Sequence, residues 1–147
     1  MTNDEAAIRT VIDAFTAAIQ AKDAPAVIAT YADDLAVYDL APPLVQTSRM
    51  ARDPDLLRQW FDTWDGPIHL DEGQIHIEAS GDLAAAWSLR HLGGVKVGDG
   101  AQALWFRSTV VLRRDGGTWR IAHVHESVPF AMDGSGKALL ELTPEEQ

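Results

Sequence analysis

The stretch that most constrains the fold is Leu104–Phe130, LWFRSTVVLRRDGGTWRIAHVHESVPF. Asp115-Gly116-Gly117 marks a tight turn, because glycine accepts the positive φ that hairpin turns require. The runs on either side are rich in Val, Ile, Thr, Trp and Phe, residues suited to a pleated, half-buried surface. The stretch therefore reads as two long antiparallel strands. Side chains alternate along a strand. An uninterrupted second strand puts Trp119, Ile121, His123, His125 and Ser127 on one face and Glu126 on the other. A face that begins aromatic and aliphatic and ends His, His, Ser predicts a core that opens into a pocket.

The segments before the hairpin supply helices and then more strands. Thr2 and Glu5 have capping-box spacing, and Ile8, Val11, Ile12, Phe15, Ala18 and Ile19 recur at helical period, predicting an amphipathic helix from Thr2 to Lys22. Asp23 and Pro25 open a short second helix. Asp33-Asp34 is read as a turn into a strand Leu35–Leu40, ended by Pro42-Pro43, with loop to Met50. Asp53-Pro54 starts a helix whose apolar side is Leu56, Leu57, Trp60, Phe61 and Trp64, and Gly66-Pro67 stops it. Ile68–Ala79 and Leu83–Val95 read as strands joined at Gly81-Asp82. After Phe130 the pattern fades into a loosely held tail, with a turn of helix near Ala138–Leu142.

Helices followed by an antiparallel meander imply an α+β fold, with helices on one face of a curved sheet that encloses a cone-like cavity. The expected organisation is a single domain over 1–147, core 1–130 and tail 131–147. Apolar residues on both faces of 103–112 predict a homodimer through the sheet.

Several function classes are excluded by composition. The formal net charge is −10, which opposes nucleic acid and anionic membrane surfaces. There is no cysteine, hence no disulfide, thiolate zinc site or thiol nucleophile. No apolar run reaches the ~20 residues of a membrane span. The polar, acidic start MTNDEAAIRT is unlike a signal peptide, so the expected location is cytoplasmic. Gly93-Gly94 and Gly98-Asp99-Gly100 lie between strands with no following helix, so no phosphate-binding glycine motif is present.

Three passages carry a family resemblance. AAIRTVIDAFTAAIQAKDAPAVIATYADDLAVYDL resembles the opening two helices and first strand of SnoaL-like proteins. These belong to the nuclear transport factor two-like superfamily, with its ketosteroid isomerases and polyketide cyclases. FRSTVVLRRDGGTWRIAHVHESVPF is similar to the family's closing hairpin, and Gly73–Leu92 matches in pattern. The resemblance implies a cystatin-like α+β barrel with a hydrophobic pocket. It also sets Asp39 on the catalytic aspartate of the isomerases. The isomerases' oxyanion tyrosine falls on Phe15 and their second aspartate near Val110, so those donors are missing here, and one such donor is worth ~2.7–4 kcal/mol.

Each candidate residue has a structural alternative. Asp39 is a general base if its pocket raises its pKa; otherwise it caps the turn before Pro42. His123 and His125 point the same way and are proton shuttles or pocket donors, His125 together with Ser127; alternatively they are hydrogen-bonded wall residues. A metal lacks a third ligand, since Glu126 is read as facing away. Arg90 and Arg107 sit mid-strand, and a guanidinium there needs a carboxylate partner or a ligand; Arg107 is the oxyanion-binding candidate, or else an ion-pair or interface residue. Tyr31, Tyr38, Trp60, Trp87 and Trp105 are aromatic pocket candidates that are otherwise core.

Two functions follow. One is a cofactor-free isomerase, cyclase or dehydratase acting by proton transfer on a small apolar or carbonyl-containing molecule, with Asp39, His125 and Arg107 as its catalytic groups. The other is a non-catalytic binding or assembly module of the same fold.

Overall fold

The computed structural model describes residues 2–145; the two ends of the 1–147 domain, including the end of its tail, lie outside the described residues. Helix α1 (Asn3–Gln20) begins where expected: Thr2 is its N-cap and its Oγ1 accepts the N–H of Glu5 at 3.1 Å. Asp23 caps α2 (Ala24–Ala29) and Asp53 caps α4 (Pro54–Asp62), each with proline in the first turn. A proline costs nothing there because its missing N–H would have had no partner.

Six strands form one curved, unclosed sheet: β1 (Tyr31–Tyr38), β2 (His69–Asp71), β3 (His76–Ser80), β4 (Leu83–Lys96), β5 (Gly100–Asp115) and β6 (Thr118–Ser127). The order is β1-β6-β5-β4-β2, with β3 also on β4. Helices and sheet make the fold α+β, as expected. β1 runs parallel to β6 while the other pairs are antiparallel, so the sheet is mixed. The helices fill its concave side. Ile8, Ile12 and Ile19 of α1, Val27 of α2 and Phe61 of α4 join Leu35, Ala86, Phe106, Leu112, Trp119 and Ile121 of the sheet in one buried core. Ile8, Val27 and Leu112 are wholly inaccessible, and each such side chain contributes about 1.5–3 kcal/mol by leaving water.

Four local expectations need correction. β1 starts at Tyr31 rather than Leu35, and Asp33 and Asp34 lie inside it, exposed, where its register against β6 shifts. The segment before Met50 is not all loop. Gln46 exchanges both backbone hydrogen bonds with Val37, and α3 (Ser48–Ala51) follows, capped by Thr47. β2 and β3 are separate because the chain breaks at Gly73, whose φ is +66° and where a Cβ would meet the Leu89 carbonyl oxygen at 2.0 Å. Only glycine fits that crossing. The tail returns on itself instead of forming a helical turn: Leu139 donates to the Pro129 carbonyl, and Phe130 bridges Ala138.

The fifth difference determines the site. Along β5 and β6 the register moves from Leu112↔Ile121 to Val111↔His123, leaving Ala122 as an extra residue. This β-bulge resets the alternation. Trp119 and Ile121 are buried before it; Val124 is buried after it, with Glu126 on the same side. His123, His125 and Ser127 therefore face outward.

Candidate functional site

A cavity of about 450 Å³ opens between the concave sheet and the helices, walled by residues that include Phe15, Ile19, Val37, Leu57, Trp60 and Phe106. Its mouth is the segment after β1, Leu40 to Pro43, with Met50 and Leu56. This segment is held from both ends. The Val37–Gln46 backbone pair closes its base, and the Gln46 side-chain amide donates to Asp39 Oδ2 at 3.0 Å. Asp39 Oδ1 accepts the N–H of Leu40 at 2.7 Å. The turn-capping role of Asp39 and its place in the cavity thus coexist in one side chain.

The polar groups of the cavity are few: Asp39, Glu126, Arg90, Gln46 and the Tyr31 hydroxyl. Glu126 shares the cavity with Asp39, and its pKa is pushed up to about 7. Burial is the main cause, the Asp39 charge adds to it, and the Arg90 guanidinium opposes it. A buried carboxyl next to a negative charge holds its proton to higher pH, so Glu126 is partly protonated near neutrality. Tyr31, at the start of β1, is buried, and its pKa is raised by that burial and by the Glu126 and Asp39 charges. It stays a hydrogen-bond donor across the physiological range.

Arg90 is 4% exposed on β4. Its Nη2 donates to Thr16 Oγ1 of α1 at 2.8 Å, and its guanidinium lies 5.9 Å from the Phe15 ring centroid. Burial pulls its pKa down, while the charges of Glu126, Glu72 and Asp71 hold it up. It remains a cation, since guanidinium does not deprotonate in proteins. A buried cation thus lines the same apolar chamber as the carboxyls of Asp39 and Glu126.

Of the sequence candidates, Asp39, Arg90, Tyr31 and Trp60 line the cavity. The others do not meet them there. His123, His125 and Ser127 are turned out by the bulge at Ala122. Arg107 is exposed opposite Leu89 and Ser127, and its Nε donates to Ser127 Oγ at 3.1 Å. Trp87 stacks on His76 and Trp105 lies against His91, both on the convex face. Tyr38 is 43% exposed, edge-on to His123 and His125. Glu126, read as facing away, is the cavity carboxyl that alternation missed. A signal was present: apolar residues fall on odd positions at Trp119 and Ile121 and on even ones at Val124 and Val128, and that switch marks an extra residue.

The geometry agrees with what the chain is similar to. A protein of unknown function from Pseudomonas putida KT2440, described as NTF2-like, shares 34% identity over 98% of this chain and 99% of its own, with a TM-score of 0.86. A ketosteroid isomerase-like protein from Erwinia carotovora atroseptica SCRI1043 shares the fold at 22% identity, over 86% of this chain and 97% of its own, with a TM-score of 0.72. A hexachlorocyclohexane dehydrochlorinase, LinA-type3, from Novosphingobium barchaimii LL02 does so at 14% identity, over 84% of each chain, also with a TM-score of 0.72. None of the curated proteins matches the chain in sequence. Residues 8–131 match the model of the SnoaL-like domain. With helices, mixed sheet and pocket arranged as above, the chain belongs to the SnoaL-like family of the NTF2-like superfamily.

Proposed function

We propose that this protein moves a proton on a small, largely apolar carbonyl compound, as an isomerase, cyclase or dehydratase that uses its own side chains. One observation carries the reading: the carboxyls of Asp39 and Glu126 line the same, otherwise apolar chamber, and burial together with the charge of Asp39 pushes the pKa of Glu126 up to about 7. Near pH 7 such a pair offers a carboxylate that accepts a proton and a carboxylic acid that donates one. Asp39 takes the proton α to the carbonyl, and Glu126 returns it at the new position. Arg90 and the Tyr31 hydroxyl stabilise the enolate oxygen, the part given to Arg107 when the sequence is read alone. His125, outside the cavity, has no part in it. Leu40, Pro42, Pro43, Met50 and Leu56 at the mouth suit a ligand whose body is apolar.

The test is deuterium exchange at the α-carbon of a panel of cyclic ketones, followed by proton NMR. Wild type is expected to exchange at least one of them with a pH dependence centred near 7. Asp39→Asn and Glu126→Gln are expected to lose the exchange while still binding the ketone. Binding by wild type with no exchange at any pH overturns the reading. It would favour the second one, a ligand-binding module, whose support is Phe15: the ring sits in the cavity wall with no O–H to offer. The reading extends to a homodimer through the convex sheet face, where Trp87, Leu89 and Tyr38 are each about two-fifths exposed.

A further inference from the structure

All five histidines of the chain lie on one surface. The chain contains His69, His76, His91, His123 and His125, and strand register sets each on the convex face. His76, Trp87, Thr109, His125 and Tyr38 form one row across β3, β4, β5, β6 and β1. His123 lies opposite Val111 in the next row, His91 is flanked by Asp71 and Trp105, and His69 pairs with Gly93. Among the described residues none faces the cavity, and none is in an ion pair with a carboxylate.

The same surface is nearly free of permanent charge. The chain has 22 Asp and Glu against 12 Lys and Arg. Between the row of Ala85 and the row of Gly93, the outward positions of β4, β5 and β6 carry Arg107 alone; Asp71 and Glu78 sit at the margin on β2 and β3. Two copies with a net charge of −10 repel one another, and a face with few permanent charges adds little local repulsion of its own. Five strands at ~4.8 Å spacing and eight residues at ~3.3 Å give roughly 600 Å² of flat area, close to the ~800 Å² per partner of a standard interface. Trp87, Leu89, Trp105 and Tyr38 give it an apolar centre.

We propose that a second copy of this chain seats on the convex face and that the histidines there make the association proton-sensitive, tight above neutral pH and released in mild acid. This rests on the dimer reading given above and adds its regulation. Neutral imidazoles suit packing against aromatic rings in such an interface; imidazoliums put several like charges into the same apolar seam. Protonation also lowers the overall negative charge, which favours association. That effect acts across distances beyond the ~8 Å screening length, however, whereas the interface charges lie within it.

His123 and His125 bear most of the effect. Their neighbours from β5 are Val111, Thr109 and, diagonally, Arg107, and from β1 Ala36 and Tyr38. His123 Nδ1 bonds the Ala36 carbonyl at 2.6 Å, and the rings of His123 and His125 are 6.5 Å apart. No carboxylate is among these neighbours and Arg107 is a like charge, so two imidazolium charges go uncompensated. His91 and His76 each have an acid close by, Asp71 and Glu78, and contribute less.

Sedimentation velocity at pH 7.6 and 5.8, with far-UV circular dichroism as the check on folding, tests this. Wild type is expected to be dimeric at tens of micromolar at pH 7.6, with a Kd at least tenfold weaker at pH 5.8. The pair His123→Gln and His125→Gln is expected to stay dimeric at both. H125K, which carries the charge permanently, is expected to be monomeric and folded at pH 7.6. A wild type that is monomeric at pH 7.6 overturns both the seat and the sheet-dimer reading. A dimer that does not weaken at pH 5.8, a glutamine pair that weakens as much as wild type, or an H125K dimer overturns the histidine gate and leaves the dimer standing.

Discussion

The two faces of the sheet are built from alternate residues of the same strands, yet they hold opposite chemistry. The concave face takes Arg90, Glu126, Asp39 and Tyr31 into a chamber lined by helices. The convex face takes Arg107, His123, His125 and Tyr38 into contact with water. Arg90 and Arg107 are both mid-strand arginines, and Glu126 sits directly between His125 and Ser127. What separates them is parity along the strand, and on β6 that parity is reset by one residue. The lesson is that the composition of a strand says little about which of its residues form a site until every bulge in it is located.

The most direct way to break the contrast is to delete Ala122. Without the extra residue, His123, His125 and Ser127 are directed inward and Val124 and Glu126 outward. Two imidazoles then enter the space that Val124 occupies against Val37 and Val110. The expected outcome is loss of cooperative unfolding and of near-UV circular dichroism, because a one-residue slip inverts every buried position beyond it. A deletion variant that keeps a dispersed NMR spectrum and a Glu126 pKa near 7 would show that the bulge does not set the faces.

The two arginines sharpen it next. Arg90→Met removes a buried cation and leaves Glu126 and Glu72 each without its opposing charge. Removing one member of a buried charge cluster costs roughly 3 kcal/mol or more. Arg107→Met removes an exposed side chain held by one hydroxyl, worth at most about 1 kcal/mol. Urea denaturation of the two variants at pH 7.5, at a concentration low enough to hold both monomeric, gives the comparison. Equal losses would mean that the concave face does not bury its arginine energetically.

Glu126 gives a prediction with a sign. Its folded pKa, about 7, lies above the carboxylate reference of 4.5. The folded state therefore holds more protons than the unfolded chain between those values. Stability contributed by this group is fully present below about pH 4.5, falls as pH rises toward 7, and is flat beyond. The total is on the order of 3 kcal/mol. Glu126→Gln is expected to flatten the fall. Urea midpoints measured from pH 5 to pH 8, at a protein concentration low enough to keep the chain monomeric, decide this, and a wild-type stability that rises through that window would contradict it.

Much of the fold was legible because caps, turns and periodicity are local. Thr2, Asp23 and Asp53 announce their helices, and Asp115-Gly116-Gly117 announces the hairpin. Asp39 and Arg90 were legible as candidates because a carboxylate at a strand end and a guanidinium in a buried strand both need explaining. The outward placement of His123, His125 and Arg107 was not legible. Strict alternation is the right expectation for an unbroken strand, and a bulge depends on how β6 meets β5, at a distance in sequence. Trp87 and Trp105 failed for a related reason: an aromatic residue in a long strand fits either face, and only the position of the helices says which is the inside. Tyr38 falls one residue from Val37 and Asp39, both of which line the cavity, and misses it by parity.

The finest comparison uses one type of bond on both faces. Arg90 Nη2 donates to Thr16 Oγ1 at 2.8 Å within the core, and Arg107 Nε donates to Ser127 Oγ at 3.1 Å in contact with solvent. Thr16→Val keeps the shape and deletes the acceptor, which also donates to the Ile12 carbonyl at 3.1 Å. Hydrogen bonds to charged groups contribute about 1.5–3 kcal/mol when their loss strands a buried donor. Ser127→Ala strands nothing, because water replaces the hydroxyl, and about 0.5 kcal/mol or less is expected. Chemical denaturation at low protein concentration measures both. If Ser127→Ala costs as much as Thr16→Val, solvent does not reach Arg107, and the convex face is already covered under the conditions used. Repeating the pair at a protein concentration that favours association then separates the two origins: the Thr16 loss stays constant, and the Ser127 loss grows only if a second copy closes over Arg107.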